Sequence, residues 1–440
     1  MLVGYFKIVY QISRKYIFLS LIIAYQMFDY NSYLLQQLRQ LKTEGRYRYF
    51  LEVNKSAQHF PNFYYADEKG VQHAAVNWCS NDYLGISTHE DVIAKLGFVA
   101  HRSGTGSGGT RNISGTTNHH KELEKTLACW HKKEAALLFN GAYQANVTTL
   151  QTLGKNIPGL VFFSDERNHA SIIEGIRGCK NEKKIFRHNN MQHLEELLMS
   201  VPLNKPKLIV FESVYSMSGT IAPVKKIAEL AGKYNALTYI DEVHAVGLYG
   251  KTGAGILEQD DLQYSVDIVN GTLSKAIGVF GGYIAASATI IDYIRSFGTG
   301  FIFTTSLPPA VCAAATKSIQ LIQEVTTIRE TFFENVKNLR AALTNAGIEF
   351  RNNSSHISVI PVQDAARCRQ VASQLLEKHG IYLQPINFPT VPVGEECLRI
   401  IITAKHLPKH INHLAYSLKK ILHGDNQTDW QEFPAIAVAD

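Results

Sequence analysis

Short apolar runs alternate with helix-like segments along the middle of this 440-residue chain, from about Val76 to about Ser306. Runs with the length and apolar character of buried strands are Ala136–Phe139, Leu160–Phe163, Leu208–Phe211, Leu237–Ile240, Ile268–Val269 and Tyr283–Ala286. Strands that alternate with helices in this way form a mostly parallel sheet covered by helices. The pattern therefore predicts a large α/β domain over residues 76–310.

A smaller domain is expected after the pair Pro308-Pro309, where a long helical stretch continues to about Ala346. The strand candidates that follow it are Ile357–Pro361, Tyr382–Gln384 and Leu398–Ile402. A helical stretch followed by short strands is typical of an α+β arrangement. We therefore predict a C-terminal α+β domain over residues 311–424.

Polar residues directly follow several of the predicted strands, and parallel sheets bind their ligands at that edge. These residues are Lys275, Asp241, Ser216 and Ser164. A lysine can form a Schiff base with an aldehyde, and an aspartate can keep a pyridinium nitrogen protonated. Because Lys275 and Asp241 both follow strands, the sequence predicts a site for pyridoxal 5'-phosphate (PLP).

Two further segments fit the same cofactor. Asn168-His169-Ala-Ser171 begins a helix, and the flat imidazole of His169 could stack on a pyridine ring; an ordinary histidine in a first helical turn is the alternative. Phe139-Asn-Gly-Ala-Tyr143 joins a strand to a helix, where free amide groups could bind the phosphate. A simple Asn-Gly turn is the alternative there.

Arg399, at the start of an apolar strand, is a candidate clamp for a substrate carboxylate, because a guanidinium can bind a carboxylate with two parallel hydrogen bonds. The glycine cluster Gly104–Gly109 formally fits a dinucleotide-binding pattern, but a helix rather than a strand precedes it. We interpret it as a flexible loop that approaches a ligand closely and lines a pocket.

Composition and charge exclude other classes of function. The net charge is +6 without a Lys/Arg block, so nucleic-acid binding is not expected. The six cysteines include no C-x-x-C pair, which is typical of reduced thiols in a cytoplasmic enzyme. The histidines show no metal-binding spacing, and no metal site is predicted.

Residues 1–26 differ from the rest. The uncharged run Tyr16–Tyr25 is far shorter than the roughly 20 residues that span a bilayer, and no small-x-small cleavage site follows it. It could be sequence upstream of a true start at Met27, a peripheral membrane anchor or a targeting peptide. We favour the first, so membrane association is not expected. Residues 27–75 would form a helix and arm, and 425–440 a flexible tail.

Long motifs occur at Trp78–Gly85, Gly108–Thr116, Asp241–Gly250, Gly300–Pro309 and Gly380–Pro392. Together with Thr43-Glu-Gly-Arg-Tyr-Arg48, they resemble the α-oxoamine synthases, which are fold-type I PLP-dependent transferases. The last two motifs and the Thr43–Arg48 segment are most similar to the 5-aminolevulinate synthase branch. The resemblance covers about Tyr30 to about Leu422.

The resemblance implies a role for each matching position. Lys275 would bind PLP and later remove the Cα proton of glycine, Asp241 would pair with the ring nitrogen, and His169 would stack on the ring. The other implied cofactor contacts are His244, Ser216, Gly141, Ala142, Tyr143 and Thr272, with Thr304 or Thr305 reaching the phosphate from the partner subunit of a homodimer. The implied substrate contacts are Asn81 and Arg399 at the glycine carboxylate, and Arg48, Thr110, Asn112 and Ser164 at the succinyl end.

The implied reaction joins glycine to succinyl-CoA and releases 5-aminolevulinate, CoA and carbon dioxide, the first step of haem biosynthesis by this route. Arg48 would complement the succinyl carboxylate, and the methyl group of Thr110 would favour glycine over larger amino acids, by about 1–3 kcal/mol. The alternative is an α-oxoamine synthase with another acyl-CoA donor, of the 2-amino-3-ketobutyrate or 8-amino-7-oxononanoate type. A non-catalytic subunit of this fold would lack the lysine, so Lys275 and Asp241 disfavour it.

Overall fold

The computed structural model describes residues 9–17 and 28–424. These residues belong to two compact units, one ending at Phe50 and the other beginning at Leu51. Most of the run Tyr16–Tyr25, the position Met27 and the predicted tail over 425–440 lie outside the described residues. None of the described helices combines the length and the apolar character that a bilayer crossing requires.

The N-terminal unit contains helix α1 (residues 9–17) and helix α2 (Tyr30–Thr43). Asp29 caps α2, because its carboxylate accepts a hydrogen bond from the backbone N–H of Ser32 at 3.1 Å and another from the Ser32 hydroxyl at 2.7 Å. The helix expected at the start of residues 27–75 is therefore present, and it ends at Thr43.

The second unit is organised around a seven-stranded sheet with the order β4-β10-β9-β8-β7-β5-β6. Its strands are β4 (Ala135–Phe139), β5 (Val161–Asp165), β6 (Lys183–Phe186), β7 (Lys207–Glu212), β8 (Leu237–Asp241), β9 (Ile268–Thr272) and β10 (Gly282–Ala286). Strand β10 is antiparallel to both of its neighbours, and every other pairing in this sheet is parallel. The predicted mostly parallel sheet is confirmed, with β6 as an additional strand.

Both faces of this sheet are buried. Along β7, Leu208 and Val210 belong to one apolar cluster, whereas Ile209 and Phe211 belong to another. Because successive side chains of a strand point to opposite faces, each cluster forms a core on one face. Nearby helices are α3 (Glu90–Ser103), α4 (Asn118–Trp130), α5 (Ala142–Asn156), α6 (Ala170–Arg177), α7 (Met191–Met199), α8 (Val224–Lys233), α9 (Ile256–Gln259), α10 (Ala288–Phe297) and α11 (Thr299–Ile302), with a 3₁₀ turn at Ile86–Thr88.

Two smaller sheets complete the unit. One contains β1 (Asn54–Lys55), β2 (Asn62–Ala66), β3 (Gln72–Asn77) and β12 (Ile381–Tyr382). The other contains β11 (Ser358–Pro361), β14 (Cys397–Ile400) and β13 (Pro385–Ile386). The remaining helices are α12 (Pro309–Glu324), α13 (Thr326–Asn345), α14 (Ala365–His379) and α15 (Pro408–His423).

Two predictions for the C-terminal region need correction. The long helical stretch after Pro309 is two helices that meet at Val325, whose backbone leaves the helical region with ψ 81°. The predicted strand Tyr382–Gln384 ends at Tyr382 in the structure. The division of this unit into domains over 76–310 and 311–424 stays a prediction.

Candidate active site

The residues predicted at strand ends meet at one edge of the large sheet. Asp241 is the last residue of β8, Lys275 follows the end of β9, and Ser216 follows β7. Strands β7, β8 and β9 are parallel, so their carboxyl ends share an edge. The prediction that Ser164 follows a strand is wrong. Ser164 lies inside β5, where it pairs with Ile185 and Val210.

The amine of Lys275 is held within a short hydrogen-bonded chain. Its Nζ lies 2.7 Å from Nε2 of His244, and Nδ1 of His244 lies 2.8 Å from the hydroxyl of Tyr83. Burial, with a smaller contribution from the charge of Arg399, lowers the pKa of Lys275 to about 7. A large fraction of this amine is therefore neutral, and nucleophilic, at neutral pH.

His244 and Tyr83, the other two members of this hydrogen-bonded chain, are both neutral. Burial and the charge of Lys275 hold the pKa of His244 well below its usual range, and burial raises the pKa of Tyr83. Tyr83 was not predicted as a site residue, although it lies within the motif Trp78–Gly85. From sequence alone, a tyrosine in such a motif could equally be a core residue or a site residue. Only the folded structure shows that its hydroxyl lies 2.8 Å from His244.

The carboxylate of Asp241 is buried and oriented by two donors. Its Oδ2 accepts a hydrogen bond from Nδ2 of Asn146 at 2.7 Å, and its Oδ1 accepts one from the backbone N–H of Val243 at 2.9 Å. Glu212 is paired with Asp241 in the parallel register of β7 and β8. Burial, and then the charge of Asp241, raise the pKa of Glu212 well above its usual range, so Glu212 is held neutral.

Asn146, which the sequence did not predict, connects Asp241 to His169. The hydroxyl of Tyr239 donates to Oδ1 of Asn146 at 2.7 Å, which leaves Nδ2 to face Asp241 and also Oγ of Ser171 at 2.9 Å. Oγ of Ser171 in turn lies 2.7 Å from Nδ1 of His169. His169 caps α6, and its imidazole is exposed, as a stacking residue must be before its ligand binds.

Arg399 and Asn81 both contact the hydroxyl of Tyr83. Nη2 of Arg399 donates to the Tyr83 hydroxyl at 3.3 Å, and Nη1 lies 3.4 Å from Oδ1 of Asn81. The guanidinium is buried, and its Nε has no hydrogen-bond partner among the described residues. A buried cation with an unused donor can hold an anion such as a carboxylate.

The first turn of α5 offers amide groups for a phosphate. Gly141 precedes the helix and has no side chain that could cap it, so Ala142 and Tyr143 keep amides that intrahelical bonds do not use. A Cβ atom at Gly282 would lie 2.2 Å from the nitrogen of Ala142, so this close approach of β10 to α5 requires glycine. Thr272 ends β9, and its Oγ1 lies 2.8 Å from Oγ of Ser274.

The predicted phosphate contacts Thr304 and Thr305 lie beside α5 of their own chain. Oγ1 of Thr304 accepts a hydrogen bond from Nε2 of Gln144 at 2.9 Å, and the carbonyl of Thr305 accepts one from Nδ2 of Asn140 at 3.0 Å. Their contact with a partner subunit's cofactor stays a prediction.

The predicted succinyl-binding residues are only partly brought together. Thr110 donates to Oδ1 of Asn112 at 2.7 Å and forms an isolated antiparallel bridge with Thr305. Arg48 belongs to the N-terminal unit, and its role stays a prediction.

The interpretation of the neighbouring glycine cluster, as a loop that approaches a ligand, stays a prediction. Gly104 and Gly108 have φ of 81° and 78°, so backbone conformation requires glycine there. Close packing also favours glycine at Gly109, where a Cβ would lie 2.7 Å from Oγ of Ser114, and requires it at Gly115, where a Cβ would lie 2.2 Å from the carbonyl oxygen of Gly109.

The chemistry of this donor set fits PLP. A partly buried amine with a lowered pKa (Lys275) lies near a buried carboxylate (Asp241), an exposed imidazole (His169) and an uncapped helix N-terminus. These groups match an aldehyde, a pyridine nitrogen, an aromatic face and a phosphate, respectively. The described residues hold no cluster of three or more His, Cys, Asp or Glu side chains that could bind a metal ion.

Comparisons with known proteins agree with this chemistry. Residues 74–418 match the family described as Aminotransferase class I and II. A 5-aminolevulinate synthase of Paracoccus denitrificans is 48% identical over 395 residues, which are 89% of this chain and 97% of that protein. A second, from Rickettsia bellii, is 50% identical over 392 residues, 89% of this chain and 94% of that protein.

Among solved structures, a serine palmitoyltransferase from S. paucimobilis with a bound PLP–myriocin aldimine has a similar fold. It aligns with a TM-score of 0.82 and 29% identity, over 90% of this chain and 99% of that chain.

Proposed function

The chain belongs to the 5-aminolevulinate synthase family of PLP-dependent acyltransferases, and from this premise we propose that it condenses glycine with succinyl-CoA to give 5-aminolevulinate, CoA and carbon dioxide. The observation that carries the proposal is 48% identity over 97% of the length of a 5-aminolevulinate synthase. The position of both Lys275 and Asp241 at one edge of the sheet supports the same chemistry.

PLP, when bound, supplies an electron sink for the carbanion at glycine Cα and for the later loss of carbon dioxide, as long as its ring nitrogen stays protonated. Lys275 would hold the cofactor covalently, and Asp241 would face the ring nitrogen with a carboxylate that Asn146 and Val243 orient. His169 would cover one face of the ring. The amides that begin α5 would hold the phosphate.

Arg399 and Asn81 would hold the carboxylate of glycine. The Nε of Arg399 and its two Nη groups form a planar set of donors that can bind two carboxylate oxygens at once. A carboxylate fixed in this way would restrict how the Cα–H bond is oriented relative to Lys275. Positioning of this kind converts proton removal into a step within one complex.

Lys275, His244 and Tyr83 can keep their hydrogen bonds whether or not Nζ carries the extra proton. When Nζ is neutral, it can accept Nε2–H of His244, while the Tyr83 hydroxyl donates to Nδ1. When Nζ is protonated, it donates to Nε2, and Nδ1–H donates to the Tyr83 oxygen. The chain of residues therefore supports an amine that takes a proton from Cα and returns it.

Acyl-CoA specificity tests this function directly. We expect the purified enzyme, assayed with glycine for CoA release, to use succinyl-CoA with a kcat/KM at least about tenfold above those for acetyl-CoA and pimeloyl-CoA. The product with succinyl-CoA should be 5-aminolevulinate. Strong turnover of acetyl-CoA or pimeloyl-CoA without use of succinyl-CoA would identify one of the other α-oxoamine synthases instead.

Arg48 is proposed to bind the succinyl carboxylate, because a guanidinium complements a group that simple acyl-CoA substrates lack. We expect Arg48→Ala to raise KM for succinyl-CoA by about 10- to 100-fold, as for loss of one charge-assisted hydrogen bond. KM for butyryl-CoA, whose acyl group carries no carboxylate, and the affinity for PLP should stay the same. Arg46→Ala, which breaks the 2.7 Å pair with Glu44 instead, is the matched control. An unchanged KM for succinyl-CoA contradicts this role.

Thr110, Asn112 and Ser164 are proposed to line the same end of the substrate. The hydroxyl of Thr110 donates a hydrogen bond to the side chain of Asn112, and Ser164 accepts a hydrogen bond from Nδ2 of Asn168 at 2.9 Å. The Thr110 methyl group would crowd a side chain on the amino acid and thereby favour glycine.

We also propose that the enzyme is a homodimer with active sites at the subunit interface, and that it acts in the cytoplasm. Ile113 and Phe303 support the first point, since they leave 82% and 79% of their surface exposed next to predicted site residues. The second is supported by the cysteines, which are all free thiols.

A further inference from the structure

His356 is a buried histidine that no step proposed above uses. It lies just before β11 and is 3% exposed, and its ring contacts three aromatic side chains. The ring-centroid distances are 4.6 Å to Tyr83, 5.5 Å to Phe332 and 5.8 Å to Tyr249. His356 therefore contacts Tyr83, which bonds the His244 partner of Lys275, and also two further aromatic residues, Phe332 and Tyr249.

Hydrogen bonds to Tyr249 fix the tautomer of His356. The backbone N–H of His356 donates to the Tyr249 hydroxyl at 3.0 Å, so that hydroxyl uses its own hydrogen elsewhere. Nδ1 of His356 lies 3.0 Å from the same hydroxyl and receives this hydrogen. Burial, followed by the charges of Arg399 and Lys275, holds the pKa of His356 well below its usual range, so the ring is neutral. Its one proton must then be on Nε2.

This Nε2–H group is buried and has no hydrogen-bond partner among the described residues. A buried donor without a partner is costly, and an aromatic face is the acceptor that remains nearby. Tyr83 is the nearest of the three rings and stands at 76° to the imidazole, which is an edge-to-face arrangement.

We propose that His356 is a positioning residue, whose Nε2–H, oriented by Tyr249, packs against the face of Tyr83 and holds that phenol against His244. The inference rests on the proposed function, because it concerns the residues that hold Lys275. The Tyr83 hydroxyl bonds His244 at 2.8 Å, and Arg399 and Asn81 each at 3.3 Å. These hydrogen bonds act at one end of the ring, and the tilt of the ring depends on the three rings that contact it, of which His356 is the nearest, ahead of Phe332 and His244.

Holding Tyr83 in place also keeps water from the amine of Lys275. Burial is the largest cause of the lowered pKa of Lys275, and a displaced Tyr83 would admit water to Nζ. The charged and titratable groups around Lys275 are His244, Arg399, Asp241, Glu212, His169 and His356, with Tyr83 bonded to His244. Tyr249→Phe leaves all of these in place, and His356→Ala removes only the neutral ring of His356, so the titration of the amine reports the position of Tyr83.

The test measures the pH at which Lys275 becomes reactive. Full-length enzyme freed of PLP is treated briefly with an amine-directed reagent at a series of pH values, and mass spectrometry gives the fraction modified at Lys275. The midpoint for the unaltered protein should be about 7. We expect His356→Ala to raise this midpoint by about 0.5–1 pH unit, the size that partial hydration of a buried amine produces. Tyr249→Phe, which keeps the ring volume, should move it in the same direction.

His131→Ala is the matched control. His131 is as buried as His356 and also bonds a tyrosine, because its Nε2 lies 2.7 Å from the hydroxyl of Tyr283. General destabilisation would affect all three variants, whereas a shifted midpoint should occur only at His356 and Tyr249. An unshifted midpoint in His356→Ala overturns the proposal, as does an equal shift in His131→Ala. If the alanine variant does not fold, an unshifted Tyr249→Phe decides against it.

Failure of the proposed function would be seen separately. Unaltered enzyme that forms no 5-aminolevulinate from glycine and succinyl-CoA would end that proposal, whereas the titration of Lys275 uses no substrate.

Discussion

Replacing Lys275 with alanine is expected to lower kcat for 5-aminolevulinate formation by at least about 10³-fold, because one side chain both anchors the cofactor and moves the Cα proton. Lys275→Arg should be as inactive, since a guanidinium neither forms the covalent bond nor gives up a proton near neutral pH. The measurement is kcat with saturating glycine, succinyl-CoA and PLP, beside a thermal unfolding curve.

Lys251→Ala is the control for this variant, because Lys251 lies exposed in a turn of the same unit. It should keep at least about half of the activity, as surface substitutions remote from a site usually do. A Lys275→Ala protein that stays folded and keeps more than about a tenth of the activity would contradict the role of this lysine as general base and covalent anchor.

Replacing Asp241 with asparagine should lower kcat by about 10²- to 10³-fold, because a neutral amide does not hold the ring nitrogen in its charged form. The expected loss is in kcat and in PLP affinity, whereas KM for succinyl-CoA should change little. Asp241→Glu keeps the charge but moves it, and should recover part of the loss. Steady-state kinetics and a PLP titration give all three values.

Glu212→Gln provides a matched comparison for Asp241→Asn. Glu212 is the register neighbour of Asp241 and is also buried, but its raised pKa means that its carboxyl group is already neutral. Replacing a neutral acid with a neutral amide of the same size should cost less than about fivefold in kcat. Equal losses of kcat in Glu212→Gln and Asp241→Asn would mean that catalysis does not depend on the charge of Asp241.

The sheet could be predicted from the sequence because its strands are buried on both faces and read as uninterrupted apolar runs. Leu208–Phe211 and Ala136–Phe139 are examples, and each lies inside an observed strand. Strand β6, Lys183–Phe186, could not be found in this way, because it pairs on one side only and two of its residues are exposed. An edge strand with a Lys-Lys pair has no apolar run to detect.

The site could be predicted where its residues follow strands, since a strand end fixes both the place and the edge of the sheet. Lys275, Asp241 and His244 are of this kind. Tyr83 and Asn146 are not, because one lies in an irregular segment and the other in the middle of α5. Their partners are remote in sequence, so only the folded chain brings them together.

Element boundaries were less predictable than the elements themselves. Ser164 was expected beyond β5 and lies within it, because pairing with β6 and β7 continues the strand past the apolar run. Where a strand ends depends on its neighbours in the sheet, and those neighbours are fixed by the whole topology rather than by local sequence.

The central claim is that Lys275 binds PLP covalently beside the carboxylate of Asp241. Treating the PLP-loaded enzyme with sodium borohydride and mapping its peptides by mass spectrometry tests this directly. We predict a single phosphopyridoxyl group on the peptide that contains Lys275, and none on the same peptide from Lys275→Ala. A label on another lysine, or no label in an enzyme that makes 5-aminolevulinate, would contradict the claim.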